Sequence, residues 1–293
     1  MFEDVRPRFR PPAEADSLIL QVATGCPHNG CAFCGMYRSV AYGARPVEAM
    51  FDEIRCAAAR EPDIRRVFLA DGDALYLPGS DLELLLDRLQ ETFPKLARVN
   101  TYANSSSILA RGPESLRRLR ERRLHTLYLG LESGDPETLR RMGKPETVDQ
   151  MLAAARMAHE AGLRLSVMIL LGLAGPGRSA VHARATAETL SQMQPRLLSA
   201  LRVIPVPGTP LDRWMRSGDF QMLTEREAVV ELRELVVHLR LTRTVFRANH
   251  TSNVLPIEAQ FPRDKDRLLR ELDAELESGH LDTQSPGPIP WTL

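Results

Sequence analysis

Strand-like apolar runs alternate with segments of helical spacing through the first two thirds of this chain, and that alternation constrains its fold most. Strands are expected at 18–25 (LILQVATG), 65–73, 98–104, 124–133, 163–172 and 196–206. Between them the spacing predicts helices at 47–60, 80–93, 112–123, 146–162 and 178–193; Ser80 and Asp81 suit a helix start and Gly162 a helix end. A helix-length crossover between successive strands forces parallel pairing with right-handed connections. Six such units fall short of the eight that close a barrel, so the expected fold class is α/β, a partial (β/α)6 TIM-like barrel. After Pro210 the pattern changes to a long helix at 224–243 and a charged one at 262–279, with an irregular polar stretch, VFRANHTSNVLPI, between them. The expected division is a barrel core over 15–210, a C-terminal helical extension over 211–280 covering it, and a tail over 281–293.

Parallel α/β folds place their sites at the carboxyl ends of the strands. Those ends here carry GCPHNGCAFC, DGDALY, YANSSS, GLESGD, LGLAGPG and PVPGTP. The first holds three of the four cysteines, Cys26, Cys31 and Cys34, where a dinucleotide-binding fold would carry glycines. Its chemistry depends on the compartment. The longest apolar stretch, 165–175, is too short to cross a bilayer, and the N-terminus lacks an apolar signal core. A cytoplasmic, reducing location is therefore expected, in which clustered cysteines mean metal or redox chemistry rather than disulfides. Lys and Arg total 38 against 38 Asp and Glu, which argues against a duplex-binding face. The local run RRLRERR at 117–123 reads as the solvated face of a helix.

Three thiolates serve a zinc ion or an iron–sulfur cluster. Structural zinc takes four ligands, so His28 or Cys56 would have to join the set. Cys56 lies among small and apolar neighbours in an expected helix and reads as a buried structural cysteine; His28 reads as solvent-facing. A four-iron cube held wholly by protein also takes four cysteines, so three leave one iron open to a small molecule.

At these residues the sequence resembles the radical S-adenosylmethionine (SAM) enzymes. Their usual signature is CxxxCxxC; here the first gap is one residue longer, Cys26-x4-Cys31-x2-Cys34. The resemblance extends over 15–280 and looks most like a stand-alone group with an Elongator- and coproporphyrinogen-oxidase-like core. It implies a [4Fe–4S] cluster on the three cysteines as metal ligands, with SAM on the open iron. Phe33 matches the aromatic residue near the adenine, and Gly72 and Asp73 correspond to the turn that meets the methionyl amino group. Glu132 and Ser133 would meet ribose hydroxyls or that amino group, and Arg141 the SAM carboxylate. Leu171, within 170–175, and Val203, within 203–205, fit backbone contacts to the nucleoside.

Tyr102 and Asn104, with Asn249, His250 and Asn253 in the irregular stretch, are candidates for the substrate side. The expected activity is reductive cleavage of SAM to a 5′-deoxyadenosyl radical that abstracts hydrogen from a small molecule, served by an external electron donor of flavodoxin or ferredoxin type. Neither a cobalamin-binding segment nor a cysteine-rich tail is recognised. Membrane partners are not expected and nucleic acid is disfavoured. A radical SAM RNA-modifying enzyme and a structural zinc protein are the alternatives.

Overall fold

The computed structural model describes residues 9–38 and 40–289. In chain order the elements are β1 Leu18–Gln21, β2 Ala23–Thr24, β3 Gly43–Ala44, α1 Val47–Arg60, β4 Arg66–Ala70, α2 Gly79–Thr92, β5 Arg98–Tyr102, α3 Ser105–Glu121, β6 Leu124–Glu132, α4 Pro136–Arg141 and α5 Val148–Glu160. They continue with β7 Arg164–Leu171, α6 Ser179–Met193, β8 Leu197–Arg202, α7 Pro210–Ser217, α8 Glu225–His238, β9 Thr244–Ala248, β10 Ile257–Phe261 and α9 Lys265–Ser278. The eight longer strands form one mostly parallel sheet in the order β1-β4-β5-β6-β7-β8-β9-β10, while β2 and β3 pair with each other.

Contacts divide the chain into two units, one comprising residues up to 29 with 36–129 and 156–164, the other 30–35, 130–155 and 165 onward. In the first, β1, β4, β5 and β6 pair in parallel, with Ile19 beside Phe68 and Tyr102 beside Tyr128. In the second, β7, β8 and β9 are parallel and β10 runs antiparallel to β9. Strand β6 passes from one unit to the other at Leu129 and Gly130.

The helices form where their apolar residues fall on one stripe. In α2, Leu82, Leu85, Leu86 and Leu89 are fully buried at spacings of three and four, and each contributes about 1.5–3 kcal/mol. Helix α8 starts at a reciprocal cap in which Glu227 N donates to the Thr224 hydroxyl at 3.2 Å and Thr224 N donates to Glu227 at 2.9 Å. It ends at His238, earlier than the expected 243, because Leu239 turns extended.

Three further expectations change. The stretch between the last two long helices is irregular only over 249–256; its ends supply β9 and β10. Thr244, Phe246 and Ala248 alternate inward, with Ala259 and Phe261 facing them from β10, so apolar burial on one face extends the sheet beyond six strands. Helix α3 begins at Ser105 rather than 112; Gly112, at φ 72°, and Pro113 divide it into two segments. Over its described part, 281–289, the tail is held rather than loose. Glu225 N donates to Ser285 O at 3.1 Å, Asp282 N to Glu225 at 3.0 Å, and the buried Arg202 guanidinium donates to the Pro286 and Pro288 carbonyls. The last four tail positions lie outside the described residues.

Candidate functional site

In the first unit, β2 carries the chain into Cys26 and pairs antiparallel with β3, Thr24 beside Gly43. This hairpin lays Val40 and Ala41 over Gly25, where a Cβ would stand 2.8 Å and 2.9 Å from their carbonyl oxygens. Asn29, at φ 48°, fastens the loop by donating its amide to Tyr37 O at 2.6 Å and Val40 O at 3.1 Å. The turn after β4 lies against the same place. A Cβ on Gly72, at φ 48°, would overlap the Gly25 carbonyl oxygen and come within 3.3 Å of the Cys26 Cα. Gly72 and Cys26 are thus neighbours.

Asp73 is buried and caps the short turn that follows. Its carboxylate accepts from Leu75 N at 3.0 Å, from Asn104 N at 3.0 Å and from Asn104 Nδ2 at 3.1 Å. Burial lifts its pKa to about 6 against the pull of those donors and of Ser107. Asp73 and Asn104, candidates from different strands, are therefore joined, and each engages the other rather than open space. Its neighbour Asp71 is also buried and sits at φ 70°, a left-handed conformation costly for a non-glycine residue. Asp71 accepts from Tyr37 OH at 2.8 Å and from Gln21 Nε2. Burial, then the Asp71 charge, pushes the Tyr37 phenol well above its ordinary range, so it remains a donor.

Tyr102 ends β5 on the sheet face that also carries Phe68 and Tyr128. The three rings meet edge to face, with centroids 5.0, 5.6 and 6.3 Å apart. Beyond them the buried Glu14 accepts from Asn100 Nδ2 at 2.8 Å, from Ser17 Oγ at 2.6 Å and from Tyr128 OH. Desolvation, reinforced by Asp71 and Glu14, raises the Tyr102 phenol, which stays neutral.

In the second unit, Cys31 and Cys34 bracket a turn closed by Cys34 N to Cys31 O at 3.2 Å. Ala32 between them donates to Met142 O at 2.7 Å and accepts from Leu211 N at 3.0 Å, which fixes the loop to the end of α4 and the start of α7. Phe33 packs on an apolar cluster of Ala32, Met142, Leu173, Val203 and Leu211, so the candidates Phe33 and Val203 share one cluster. Val203 N donates to Leu171 O at 2.9 Å, and the Leu171 side chain is buried, so that carbonyl is already engaged.

Glu132, at φ 60°, is the second acidic residue in a left-handed conformation at a strand end. Burial raises its pKa, offset by Lys144, whose Nζ lies 3.7 Å from Oε1. Ser133 is fully buried. Its hydroxyl accepts from Asp135 N at 2.9 Å and lies 2.8 Å from His182 Nδ1. Since His182 Nε2 faces the Leu170 carbonyl at 3.2 Å, the ring proton belongs on Nε2 and Ser133 donates to Nδ1. Glu231, 3.6 Å from that Nε2, accepts from Gly172 N at 2.6 Å and from Ser179 Oγ. Ser133 is thereby committed to a buried network. Arg141 donates to Asp219 O and stands over Trp214 at 5.7 Å. His250 is half-buried with Nδ1 accepting from Ser252 N at 3.1 Å, and Asn253 donates to Ala200 O at 2.8 Å.

None of the four cysteines forms a disulfide; Cys26, Cys31 and Cys34 are half-buried, whereas Cys56 is exposed on α1, not buried as the sequence reading has it. Among the described residues, no three His, Cys, Asp or Glu side chains gather as a single-ion site requires. A four-iron cube holds its thiolates farther apart, and three cysteine thiols in a backbone-lined loop suit its donor chemistry. No described helix is long and apolar enough to cross a membrane.

The family model "Radical SAM superfamily" matches residues 20–188, more than half of the chain. The chain belongs to that superfamily. Its cofactors are accordingly a [4Fe–4S] cluster and SAM, and it is a radical SAM enzyme. It is 32% identical over 204 residues to the ribosomal protein uS12 methylthiotransferase RimO of Roseiflexus sp. (strain RS-1), covering 66% of this chain and 42% of that one. The radical SAM coproporphyrinogen III oxidase HemN of Escherichia coli shares its fold at a TM-score of 0.56 and 16% identity, over 75% of this chain and 51% of the other. So does the radical SAM methyltransferase TsrM of Kitasatospora setae, solved with cobalamin and a [4Fe–4S] cluster, at a TM-score of 0.55 and 19% identity over 70% and 41%. The chain spans about two fifths of the length of the first curated relatives it matches.

Sequence reasoning passes over Tyr37, Tyr42, Asp71, His182 and Glu231. Asp71 opens the quoted DGDALY, but its left-handed backbone has no sequence signal; Glu231 lies in a helix assigned only a covering role.

Proposed function

We propose that this radical SAM enzyme holds its cluster on Cys26, Cys31 and Cys34 and turns SAM against a small molecule. When bound, the cluster supplies the electron that splits SAM into methionine and a 5′-deoxyadenosyl radical, which takes a hydrogen atom from the substrate. An external donor of flavodoxin or ferredoxin type supplies that electron. The observation that carries the reading is the three-cysteine loop opening the segment that the family model matches.

The chain's own residues bind and orient. In the first unit the backbone of Gly25 and Gly72 forms a cradle that a side chain would fill, beside Cys26. Phe33 offers an apolar surface for the adenine, and the desolvated Glu132 carboxylate suits hydroxyl or ammonium donors. Arg141, on this reading, turns from its present carbonyl partner to the SAM carboxylate, while Leu171 and Val203 supply apolar walls. Tyr102, with Phe68 and Tyr128, gives the substrate an aromatic wall with one phenol near its edge. Asn104 and His250 are the polar candidates for the substrate side, each held within its own unit, by Asp73 and Ser252 respectively. These half-buried groups exclude water from a reactive radical.

Anaerobic reconstitution with iron, sulfide, SAM and dithionite tests the reading. It expects 5′-deoxyadenosine from the wild-type chain and none from Cys26→Ala, Cys31→Ala or Cys34→Ala; zinc occupancy without nucleoside product overturns it. The match to RimO favours one second reading, sulfur or methyl transfer to a macromolecule such as an RNA or ribosomal protein. A methylthio group detected on an added macromolecule, with sulfide supplied as the sulfur source and S-adenosylhomocysteine released beside methionine and 5′-deoxyadenosine, would select it.

A further inference from the structure

The β2–β3 hairpin delivers one residue that the reading above leaves unused. Tyr42 precedes β3 and stands across from Gly25, because Thr24 pairs with Gly43 in an antiparallel ladder. Its ring meets Tyr76 edge to face at 5.2 Å and 88°. Its hydroxyl oxygen is buried and has no hydrogen-bond partner among the described residues. An unmade hydrogen bond at a buried hydroxyl is costly, so its persistence calls for an acceptor in the working protein.

The groups that act electrostatically on this hydroxyl are Asp73, Tyr76, Arg111 and Cys26. Asp73 already accepts from Leu75 N, Asn104 N and Asn104 Nδ2. Arg111 is a donor only, and it is spent on the Leu75 and Leu77 carbonyls. Tyr76 is largely exposed and has water for its own hydroxyl. The sulfur of Cys26 remains. As a thiolate it is an acceptor with lone pairs to fill. A phenol ordinarily titrates at about 10, so Tyr42 is a neutral donor at physiological pH.

We propose that the Tyr42 hydroxyl donates a hydrogen bond to sulfur of the cluster bound through Cys26 and so raises the cluster's reduction potential. The inference rests on the reading that Cys26 is a cluster ligand. A hydrogen bond to cluster sulfur stabilises the reduced state, which carries one more negative charge. Tyr42 is thus a positioning and tuning residue for the electron that starts the reaction, not a group that reacts.

The test is an EPR-monitored redox titration of the reconstituted holoprotein, wild type beside Tyr42→Phe and Tyr76→Phe. Phenylalanine keeps the ring packed on Tyr76 and removes only the donor. At the wild-type midpoint, the ratio of reduced to oxidised cluster in Tyr42→Phe is expected to fall roughly tenfold, with Tyr76→Phe unchanged. Part of the D2O-induced shift in the Fe–S stretching bands of wild type should vanish in Tyr42→Phe. An unchanged midpoint with the D2O shift intact overturns the proposal, as does a variant that changes only the KM for SAM. If Tyr42→Phe does not load, fluorotyrosine at position 42, a stronger donor, decides: a raised midpoint supports the assignment and an unchanged one overturns it. Failure of the wild-type chain to assemble any cluster is a different result, and removes the proposed function itself.

Discussion

At the residue scale, Gly72 and Asp73 show how one turn serves backbone and charge together. Alanine at Gly72 meets both a left-handed backbone and the Gly25 carbonyl, and neither can yield cheaply. Gly72→Ala is expected to cost about 2–4 kcal/mol in chemical denaturation, while Gly218→Ala, also left-handed (φ 84°) but in open space, costs only about 1 kcal/mol. Equal losses would mean that backbone conformation alone, and not the contact with Gly25, sets the price. For Asp73 the folded pKa of about 6 lies above its ordinary 3.8. The folded state then binds the extra proton, so this group's contribution is fully present below about pH 4 and is lost as pH rises through 6. The loss is on the order of 3 kcal/mol. Urea midpoints of the metal-free protein between pH 4 and 7 should carry this component, and Asp73→Asn should lack it. The same variant loses about 1–3 kcal/mol overall, since an amide NH2 would face the Asn104 donors.

Elements separate what periodicity reveals from what it hides. Helix α1 was legible to the residue, at Val47–Arg60, because Met50 and Ile54 lie on one stripe behind a proline. Strands β9 and β10 were not, since short alternations such as TVFRA next to polar loop residues resemble a loop until a neighbouring strand supplies their hydrogen bonds. The Ser133–His182–Glu231 network was hidden for a related reason: its members come from β6, α6 and α8, and spacing in sequence says nothing about their meeting. The network has a measurable weight. Glu231→Leu leaves Gly172 N and Ser179 Oγ without their acceptor in a buried setting, so a loss of about 3–5 kcal/mol is expected in thermal unfolding. Glu231→Gln, which keeps one acceptor, should lose clearly less. By contrast the partly exposed Arg247–Glu258 pair, at 3.3 Å, links β9 to β10 at little gain, and Glu258→Ala should change stability by less than about 1 kcal/mol.

For the whole molecule, family-level reading reached furthest where residue types carry chemistry and least where backbone geometry does. The resemblance carried by the cysteine loop implied the cofactors, yet nothing in the sequence indicated that residues 281–289 lie on the start of α8 and cover Arg202. That guanidinium is buried, its Nε lacks a partner among the described residues, and burial lowers its pKa. Ending the chain at Gly279 should therefore reduce stability by about 2–4 kcal/mol and lower the melting temperature by several degrees, read by calorimetry. An unchanged melt would show that the tail lies on the surface without supporting it. Cys56 carries a practical consequence. An exposed thiol on the outer side of α1 is the group that alkylating reagents and dissolved air reach first, and through it two copies can be stitched together. Serine at that position would leave every remaining sulfhydryl inside the loop, so a thiol count before and after iron loading would become a direct census of the ligands.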